Sequence, residues 1–401
     1  MNIARQSIKK RILCIADLPN WIFNRHIFYL QRYLGDEFEI FTSYRRERYE
    51  ESDFDLIYPL EHMLVEPDQI TNPNKYVTGI RSFISWAVMD FKPFIDYLNT
   101  KFQCVHVVSA ELYNLFSPYL PGVEYLTHGV DTAFFSPSQP TDSRPGALRL
   151  GWAGRRDTFI KGFQDYIYPL SQLPGVELKI CGYLDQNLSL DDMPGFYDSI
   201  DAYICASSFE GNNNSLLEAA SMERAIITTQ VGTVPEYLKD RESALIVERD
   251  LEQITQSVIE LRDNPELRSR LGKNARLSLI EKKWDWKYKA EDFRRFFHQA
   301  LVRSELGRDQ VLNPNQAKRN NDPHLMHVLQ AQNQLLREML IGDAIQLFDL
   351  KEEKRILETE KNALENAIQE IRVSETYRLM QNILSNRLSQ GFIKTFRKFR
   401  D

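Results

Sequence analysis

Two glutamates flank a short polar loop in the second half of the chain, Glu210 before it and Glu218 after it. The residues between them are Gly211, Asn212, Asn213, Asn214, Ser215, Leu216 and Leu217. Carboxylates accept hydrogen bonds from hydroxyl groups, and the backbone N–H groups of a loop that opens a helix attract phosphate oxygens. A nucleotide sugar carries both kinds of group. The loop therefore predicts a nucleotide-sugar site.

Glu218 has a second interpretation. Ser215 and Glu218 have the spacing of a capping box, in which Ser215 caps a helix and Glu218 bonds back to the capping residue's N–H. The sequence leaves both roles open, and a cap is compatible with ligand binding. Glu210 has no such alternative, because the turn after Phe209 needs only glycine and asparagine.

The loop lies between two apolar runs of strand length, 202–206 and 225–229. Short apolar runs that alternate with amphipathic segments indicate βαβ units and a parallel sheet. Open sheets of this kind bind ligands at the carboxyl ends of their strands. We therefore expect the loop at that edge of a sheet.

The same alternation occurs twice and predicts two α/β domains, 1–140 and 141–284, joined by a turn-rich connector. In the first domain the expected strands are 12–16, 38–41, 56–58 and 105–108, and the expected helices are 24–34 and 95–100. In the second domain the expected strands are 148–154, 177–181, 202–206, 225–229 and 244–247, and the expected helices are 251–262 and 265–281.

Composition restricts the classes of protein that fit. The net charge of −6 argues against a nucleic-acid binder, because such domains are usually strongly basic. The four cysteines form no CxxC pair and lie in apolar runs, which indicates buried, reduced thiols in a cytoplasmic protein. No apolar run approaches the roughly 20 residues that span a bilayer, and the first apolar run is too short for a signal peptide.

The chain changes character near its end. A polar linker is predicted at 304–323, followed by a coiled coil at 324–373. Its two seam positions are Leu329, Leu336, Asp343, Leu350, Leu357, Leu364 and Ile371, and Met326, Asn333, Leu340, Leu347, Lys354, Lys361 and Ile368. The pattern favours a homo-oligomer, and a single helix packed on the globular body is the alternative.

Residues 374–401 form a basic amphipathic tail. Its apolar residues at helical spacing are Phe392, Ile393, Phe396 and Phe399, and basic residues lie among them. Such a segment is typical of a helix that makes a peripheral contact with an anionic membrane face. A solvated basic end that only packs is the alternative.

From Gly151 to about Ala300 the chain resembles the retaining GT-B glycosyltransferases, specifically glycosyltransferase family 4, whose motif is two glutamates separated by seven residues. Glu210 and Glu218 have this spacing. Further marks in the same order are Gly154-Arg155, Lys161-Gly162, Gly182 and Gly232-Thr233-Val234-Pro235-Glu236. The resemblance implies two Rossmann-like domains that face a cleft, with a last helix at 285–303 that crosses back to the first domain.

The resemblance also implies roles for single residues. Glu218 would hold the ribose hydroxyls, and Glu210 would bind the donor sugar and support positive charge at its anomeric carbon. The loop from Gly211 to Ser215, together with Gly182, would complete the nucleotide-sugar site. Arg155 and Lys161 would neutralise the departing diphosphate, with Arg156 as an alternative to Arg155.

With two cations at the diphosphate, no metal or other cofactor is expected beyond the donor substrate itself. Asp191 and Asp192 could bind Mg²⁺, but a turn explains this pair more simply.

The first domain, which would bind the acceptor, departs from the family pattern. Asp17-Leu18-Pro19-Asn20-Trp21 replaces the usual glycine-rich loop, and Arg81 lies where many members have a histidine. Other histidines are available elsewhere, and these are His26, His62, His106 and His128. His128 precedes Gly129-Val130-Asp131, which is similar to the family's interdomain segment.

The sequence thus predicts a cytoplasmic, retaining, metal-independent glycosyltransferase. It would transfer a sugar from a nucleotide diphosphate sugar to a glycan or lipid-linked glycan acceptor in surface polysaccharide biosynthesis, with a membrane contact through the tail. Two alternatives stay open: a catalytically inactive GT-B scaffold whose coiled coil binds partners, and a GT-B nucleotide-sugar epimerase.

Overall fold

A computed structural model of the chain describes residues 9–306 apart from 83, 88, 139–146 and 183–187, and in addition Lys361. The chain divides into two compact units, 1–339 and 340–401. The predicted coiled coil at 324–373 and the tail at 374–401 lie outside the described residues except for Lys361, as does the predicted linker beyond Leu306.

The first lobe of the larger unit is a parallel sheet with helices around it. Its strands are β1 (Lys10–Ala16), β2 (Phe38–Tyr44), β3 (Leu56–Pro59), β4 (Val77–Ile80), β5 (Cys104–Val107) and β6 (Glu124–Tyr125). Its helices are α1 (Ile22–Leu34), α2 (Ile84–Ala87), α3 (Phe91–Lys101) and α4 (Ala110–Phe116). The strands form the groups β2-β1-β3 and β4-β5-β6, and a bridge between Ile57 and Tyr76 connects the two groups.

The second lobe has a five-stranded parallel sheet. Its strands are β7 (Leu148–Ala153), β8 (Val176–Cys181), β9 (Ala202–Cys205), β10 (Ala225–Thr228) and β11 (Leu245–Ile246). Its helices are α5 (Met193–Asp198), α6 (Asn214–Ser221), α7 (Val234–Tyr237), α8 (Leu251–Asp263) and α9 (Pro265–Glu281). The strand order is β11-β10-β9-β7-β8, so the direction of winding reverses between β7 and β9. Ligands bind to such sheets at this reversal point.

Two chain segments connect the lobes and lie side by side. Val130 donates its N–H to the Trp284 carbonyl at 3.0 Å, and Trp286 donates back to the Val130 carbonyl at 3.1 Å. A side chain at Gly129 would meet the Trp284 carbonyl oxygen at 2.5 Å, so the two segments approach as closely as glycine allows.

A long final helix, α10 (Trp286–Leu306), packs on the first lobe. Phe293, Phe296 and Phe297 are fully buried in the core of that lobe, and Trp286 stacks on Tyr29 of α1 with ring centroids 5.0 Å apart. These aromatic contacts hold α10 against the first lobe.

The predicted α/β class with two parallel-sheet lobes is confirmed. Sequence analysis missed β4, because Val77-Thr78-Gly79-Ile80 is short and interrupted by threonine and glycine, and it missed the two-residue β6. All four cysteines are buried, and they form no disulfide bond. No helix among the described residues combines the length and apolar character that a membrane span requires.

Candidate active site

Two loops meet at the reversal point of the second lobe's sheet, one after β7 and one after β9. The N–H of Ser208 donates to the Ile160 carbonyl at 2.9 Å, which joins the loops directly. Arg249 donates to the carbonyls of Phe159 and Ala206, each at 3.1 Å, and so also connects the two loops. The side chains that these loops carry are therefore held in a fixed relation.

Lys161 and Glu210 form an ion pair where the loops meet, with side chains 24% and 12% exposed. Ser207 Oγ at 2.7 Å and Asn213 Nδ2 at 3.2 Å donate to the same carboxylate oxygen, Oε1. Burial by itself lowers the pKa of Lys161, but the Glu210 carboxylate more than offsets this and the pKa is raised. Lys161 therefore stays cationic, and Oε2 of Glu210 keeps lone pairs for a ligand hydroxyl.

Helix α6 begins directly after this pair. Its cap is Asn213, whose side chain accepts the N–H of Leu216 at 3.1 Å. The capping box considered for Ser215 and Glu218 is therefore wrong. Ser215 is instead the second residue of α6, and its side chain lies beside the hydroxyls of Tyr197 and Tyr203.

Glu218 lies one turn into α6 and is almost fully buried, with its side chain 3% exposed. Its Oε2 accepts the Tyr197 hydroxyl at 2.7 Å, and its Oε1 accepts the guanidinium of Arg25. Arg25 belongs to α1 of the first lobe, so this ion pair joins the two lobes. Burial and then the Glu218 charge raise the pKa of the Tyr197 hydroxyl.

The loop between the two glutamates also touches the first lobe. A side chain at Gly211 would lie 1.7 Å from the Arg81 carbonyl oxygen, so the two backbones are in direct contact. The Asn212 amide donates to Thr127 Oγ1 at 2.8 Å and to the His128 carbonyl at 3.0 Å, and it accepts from Thr233 Oγ1 at 2.8 Å. The Asn212 side chain therefore holds the loop to the interlobe segment.

Asn214 contacts a histidine of the first lobe. Its Oδ1 lies 3.2 Å from His26 Nε2, and the His26 ring packs against the His128 ring with centroids 4.2 Å apart. Burial and the neighbouring charge of Arg81 lower the pKa of His26 well below its usual range. His26 is therefore neutral where it meets α6.

Arg81 points into the first lobe. Its Nε donates to the Leu60 carbonyl at 2.8 Å, and its Nη2 donates to the Tyr58 hydroxyl at 2.7 Å, which in turn pairs with His106 at 2.7 Å. Glu61 accepts the Arg81 N–H at 3.1 Å, and burial raises the pKa of its carboxyl to about 8. These polar groups form a buried network, the first-lobe network, at the carboxyl ends of β3 and β4.

The remaining predicted residues belong to the second lobe as well. The Arg155 guanidinium forms a bidentate pair with Asp157 at 2.7 and 3.1 Å and is 58% exposed, whereas Arg156 lies over the Phe163 ring at 4.9 Å. Gly182 follows β8 directly. Asp192 accepts from the hydroxyl of Ser189 at 2.6 Å and so stabilises a helical turn.

Sequence reasoning missed Arg25 and Arg249 and gave His26 no role at the site. Arg25 and His26 belong to the first lobe and contact α6 of the second lobe. Arg249 lies in the segment after β11 and bonds to the loops after β7 and β9. No spacing rule could have found them, because their partners are distant in sequence. His26 was considered only as one of several histidines.

The arrangement of two Rossmann-like lobes across a cleft defines the GT-B fold. Residues 147–264 match the family model described as glycosyl transferases group 1. This segment is therefore similar to the group 1 glycosyltransferases, in agreement with the resemblance found in the sequence. No curated protein matches the chain at a significant level.

Solved structures share the fold at low sequence identity. Sucrose-phosphate synthase from Thermosynechococcus elongatus has 12% identity and a TM-score of 0.61, and the match covers 73% of this chain and 100% of that one. HepE from Anabaena, solved with UDP and glucose, has 10% identity and a TM-score of 0.56 over 72% of this chain and 99% of that one. A glycosyltransferase from Rickettsia africae has 13% identity and a TM-score of 0.53 over 73% and 99%.

Proposed function

We propose that the protein is a glycosyltransferase that moves a sugar from a nucleoside diphosphate sugar to a glycan or lipid-linked glycan acceptor, with retention of anomeric configuration. The observation that carries this proposal is the ion pair of Lys161 and Glu210 at the reversal point of the second lobe's sheet. The group 1 family match includes both residues, and a structural neighbour was solved with UDP and glucose.

Glu210 would act on the sugar. Three donors converge on its Oε1, which fixes the orientation of the carboxylate. Its Oε2 would accept a sugar hydroxyl, and its negative charge would stabilise the positive charge that develops at the anomeric carbon as the glycosidic bond to phosphate breaks. An oriented charge of this kind favours the transition state over the bound substrate.

Lys161 would act on the leaving group. The departing diphosphate gains negative charge, and a cation already held at the site stabilises that charge without reorganisation. Arg155 would add a second cation by exchanging Asp157 for a phosphate, since its side chain is 58% exposed. With both cations engaged, we propose that transfer needs no metal ion.

The region beyond the catalytic body would determine where the enzyme works. A coiled coil at 324–373 would join copies of the chain, and the basic tail at 374–401 would contact the anionic membrane face where a lipid-linked acceptor resides. Sedimentation of the full chain and of a chain ending at residue 323, with and without anionic vesicles, tests both statements.

The donor can be found with a panel of nucleotide sugars. Thermal unfolding with each of UDP-, GDP-, ADP- and CDP-linked sugars should show stabilisation by one base, because a ligand at about 100 times its dissociation constant adds about 2.7 kcal/mol. The stabilising donor should then release its nucleoside diphosphate in the presence of chelator and acceptor extracts. NMR of the product should show the anomeric configuration of the donor.

The alternatives give different results. A protein that binds none of the donors is a scaffold, and a protein that converts the sugar while it stays attached to the nucleotide is an epimerase. A product of opposite anomeric configuration contradicts the retaining mechanism, and activity that chelator abolishes contradicts metal independence.

A further inference from the structure

The first lobe contributes a charged side chain to the second lobe's helix α6. Arg25 lies in the first turn of α1, and its guanidinium bonds to Oε1 of Glu218. The Arg25 side chain is 17% exposed, and its guanidinium carbon also lies 5.3 Å from the ring centroid of Phe135, which is fully buried with the second lobe's core. Arg25 is therefore packed into the second lobe.

Both carboxylate oxygens of Glu218 are engaged. Arg25 bonds to Oε1 and Tyr197 to Oε2, and the carboxylate has almost no exposed surface. Tyr197 is part of the second lobe's core, whereas Arg25 enters from outside that lobe. Another ligand can therefore reach Oε1 most readily by replacing Arg25.

The proposed function assigns Glu218 to the ribose hydroxyls of the donor, and the present inference rests on that assignment. We propose that Arg25 and the ribose hydroxyls are alternative partners of Glu218, so that Arg25 sets the affinity for nucleotide and nucleotide binding loosens the contact between α1 and α6. Arg25 is thus a positioning residue that the first lobe contributes to the donor site.

Competition of this kind lowers the apparent affinity by the fraction of molecules in which Glu218 is accessible. If Arg25 holds Glu218 in about nine molecules of ten, nucleotide binds roughly tenfold more weakly than to an unoccupied carboxylate. Removal of Arg25 should therefore tighten nucleotide binding, whereas removal of an ordinary ligand-binding arginine weakens it.

The experiment is calorimetric titration of the full chain with UDP, GDP, ADP and CDP, followed by titration of Arg25→Ala with the one that binds. We expect the Arg25→Ala variant to bind about three- to tenfold more tightly. The same nucleotide lacking both ribose hydroxyls should bind both proteins equally, because it does not compete with Arg25 for Glu218. A role confined to folding would not depend on the ribose hydroxyls.

Two further variants keep the test decisive. Arg25→Lys retains the charge but not the planar guanidinium, should fold if Arg25→Ala does not, and should give a smaller gain in the same direction. Arg295→Ala removes an exposed arginine that pairs with Asp292 on α10, and it should bind nucleotide as the wild type does.

Equal or weaker binding of the ribonucleotide by folded Arg25 variants overturns the inference and leaves the proposed function standing. A wild-type protein that binds none of the four nucleotides overturns both. An equal gain for the nucleotide without ribose hydroxyls also rejects competition at Glu218.

Discussion

The two lobes have similar sheets but use the carboxyl ends of their strands differently. In the second lobe, Lys161 and Glu210 form a pair that retains some exposure to solvent. In the first lobe, Arg81, Tyr58 and His106 bond to one another in the interior. The same position in the fold therefore holds a partly exposed ion pair in one lobe and a buried polar network in the other.

This difference indicates a division of labour. Charged groups that retain solvent access can exchange their partners for a ligand, whereas a buried and mutually bonded network resists any such exchange. We infer that donor chemistry is confined to the second lobe. The first lobe assists by its contacts with α6 and its flanking loop, through Arg25, His26 and the backbone of Arg81.

Replacement of Lys161 should have the largest effect on activity. Lys161→Gln removes the cation from the leaving group and from Glu210, and we expect transfer to fall by roughly 10²- to 10³-fold, since this is the usual effect of deleting one such donor. Initial rates of nucleoside diphosphate release measure this loss. Lys179→Gln, in a partly exposed lysine of β8 that pairs with Glu177, is the control and should be fully active.

Contact between the lobes can be disrupted at Gly211. The added methyl group of Gly211→Ala would lie 1.7 Å from the Arg81 carbonyl oxygen, so the backbones must separate. We expect a loss of about 1 to 3 kcal/mol in stability together with reduced transfer. Gly195→Ala is the matched control, because nothing lies within 4 Å of its added methyl group. Equal unfolding free energies for the two variants would mean that the lobes do not meet at Gly211.

The first-lobe network should give stability a particular dependence on pH. Burial raises the Glu61 pKa from 4.5 to about 8, so between these values the folded state keeps a proton that the unfolded state has lost. The favourable contribution of protonated Glu61 to the unfolding free energy is therefore complete below about pH 4.5, and it is lost as the pH rises through 8.

Glu61→Gln should remove this dependence. We expect little change in the unfolding free energy at pH 5 and a gain on the order of 2 to 4 kcal/mol for the variant at pH 9. Urea unfolding at the two pH values measures the difference, and the exposed Glu66→Gln is the control. A gain in unfolding free energy that is equal at pH 5 and pH 9 would contradict the raised pKa of Glu61.

A matched pair of tyrosines compares the two lobes directly. Tyr58→Phe removes a hydrogen-bond acceptor from buried Arg81. Tyr197→Phe removes a hydrogen-bond donor from Glu218. Each change should lower the unfolding free energy by about 1 to 3 kcal/mol. Tyr197→Phe should also change nucleotide affinity, whereas Tyr58→Phe should not. Calorimetric titration of both variants compares the lobes, and a change in affinity for Tyr58→Phe alone would reverse the division of labour.

The sequence predicts the second lobe better than the first lobe. The strands on either side of the loop that carries Glu210 are apolar runs, so periodicity places the loop at the sheet edge. The helix cap was harder to predict, because Asn213, Asn214 and Ser215 can all cap a helix. The Ser215 side chain lies beside Tyr197 and Tyr203 in the structure, and this tertiary arrangement has no local signal.

Contacts between the lobes lie beyond sequence reasoning for a simple geometric reason. Arg25 and Glu218 are 193 positions apart, and their meeting depends on how α1 and α6 face each other across the cleft. Likewise, Arg81 occupies a position where the family resemblance suggested a residue close to the sugar, yet its side chain turns inward to Tyr58. Neither outcome can be obtained from periodicity or composition.

The most direct test of the central claim is single-turnover sugar transfer by Glu210→Gln. This change keeps the size of the side chain and removes its charge, so the variant should still bind nucleoside diphosphate while transfer falls by at least about 100-fold. Transfer at the wild-type rate, with nucleotide binding intact, would contradict the assignment of the Lys161 and Glu210 pair as the catalytic centre.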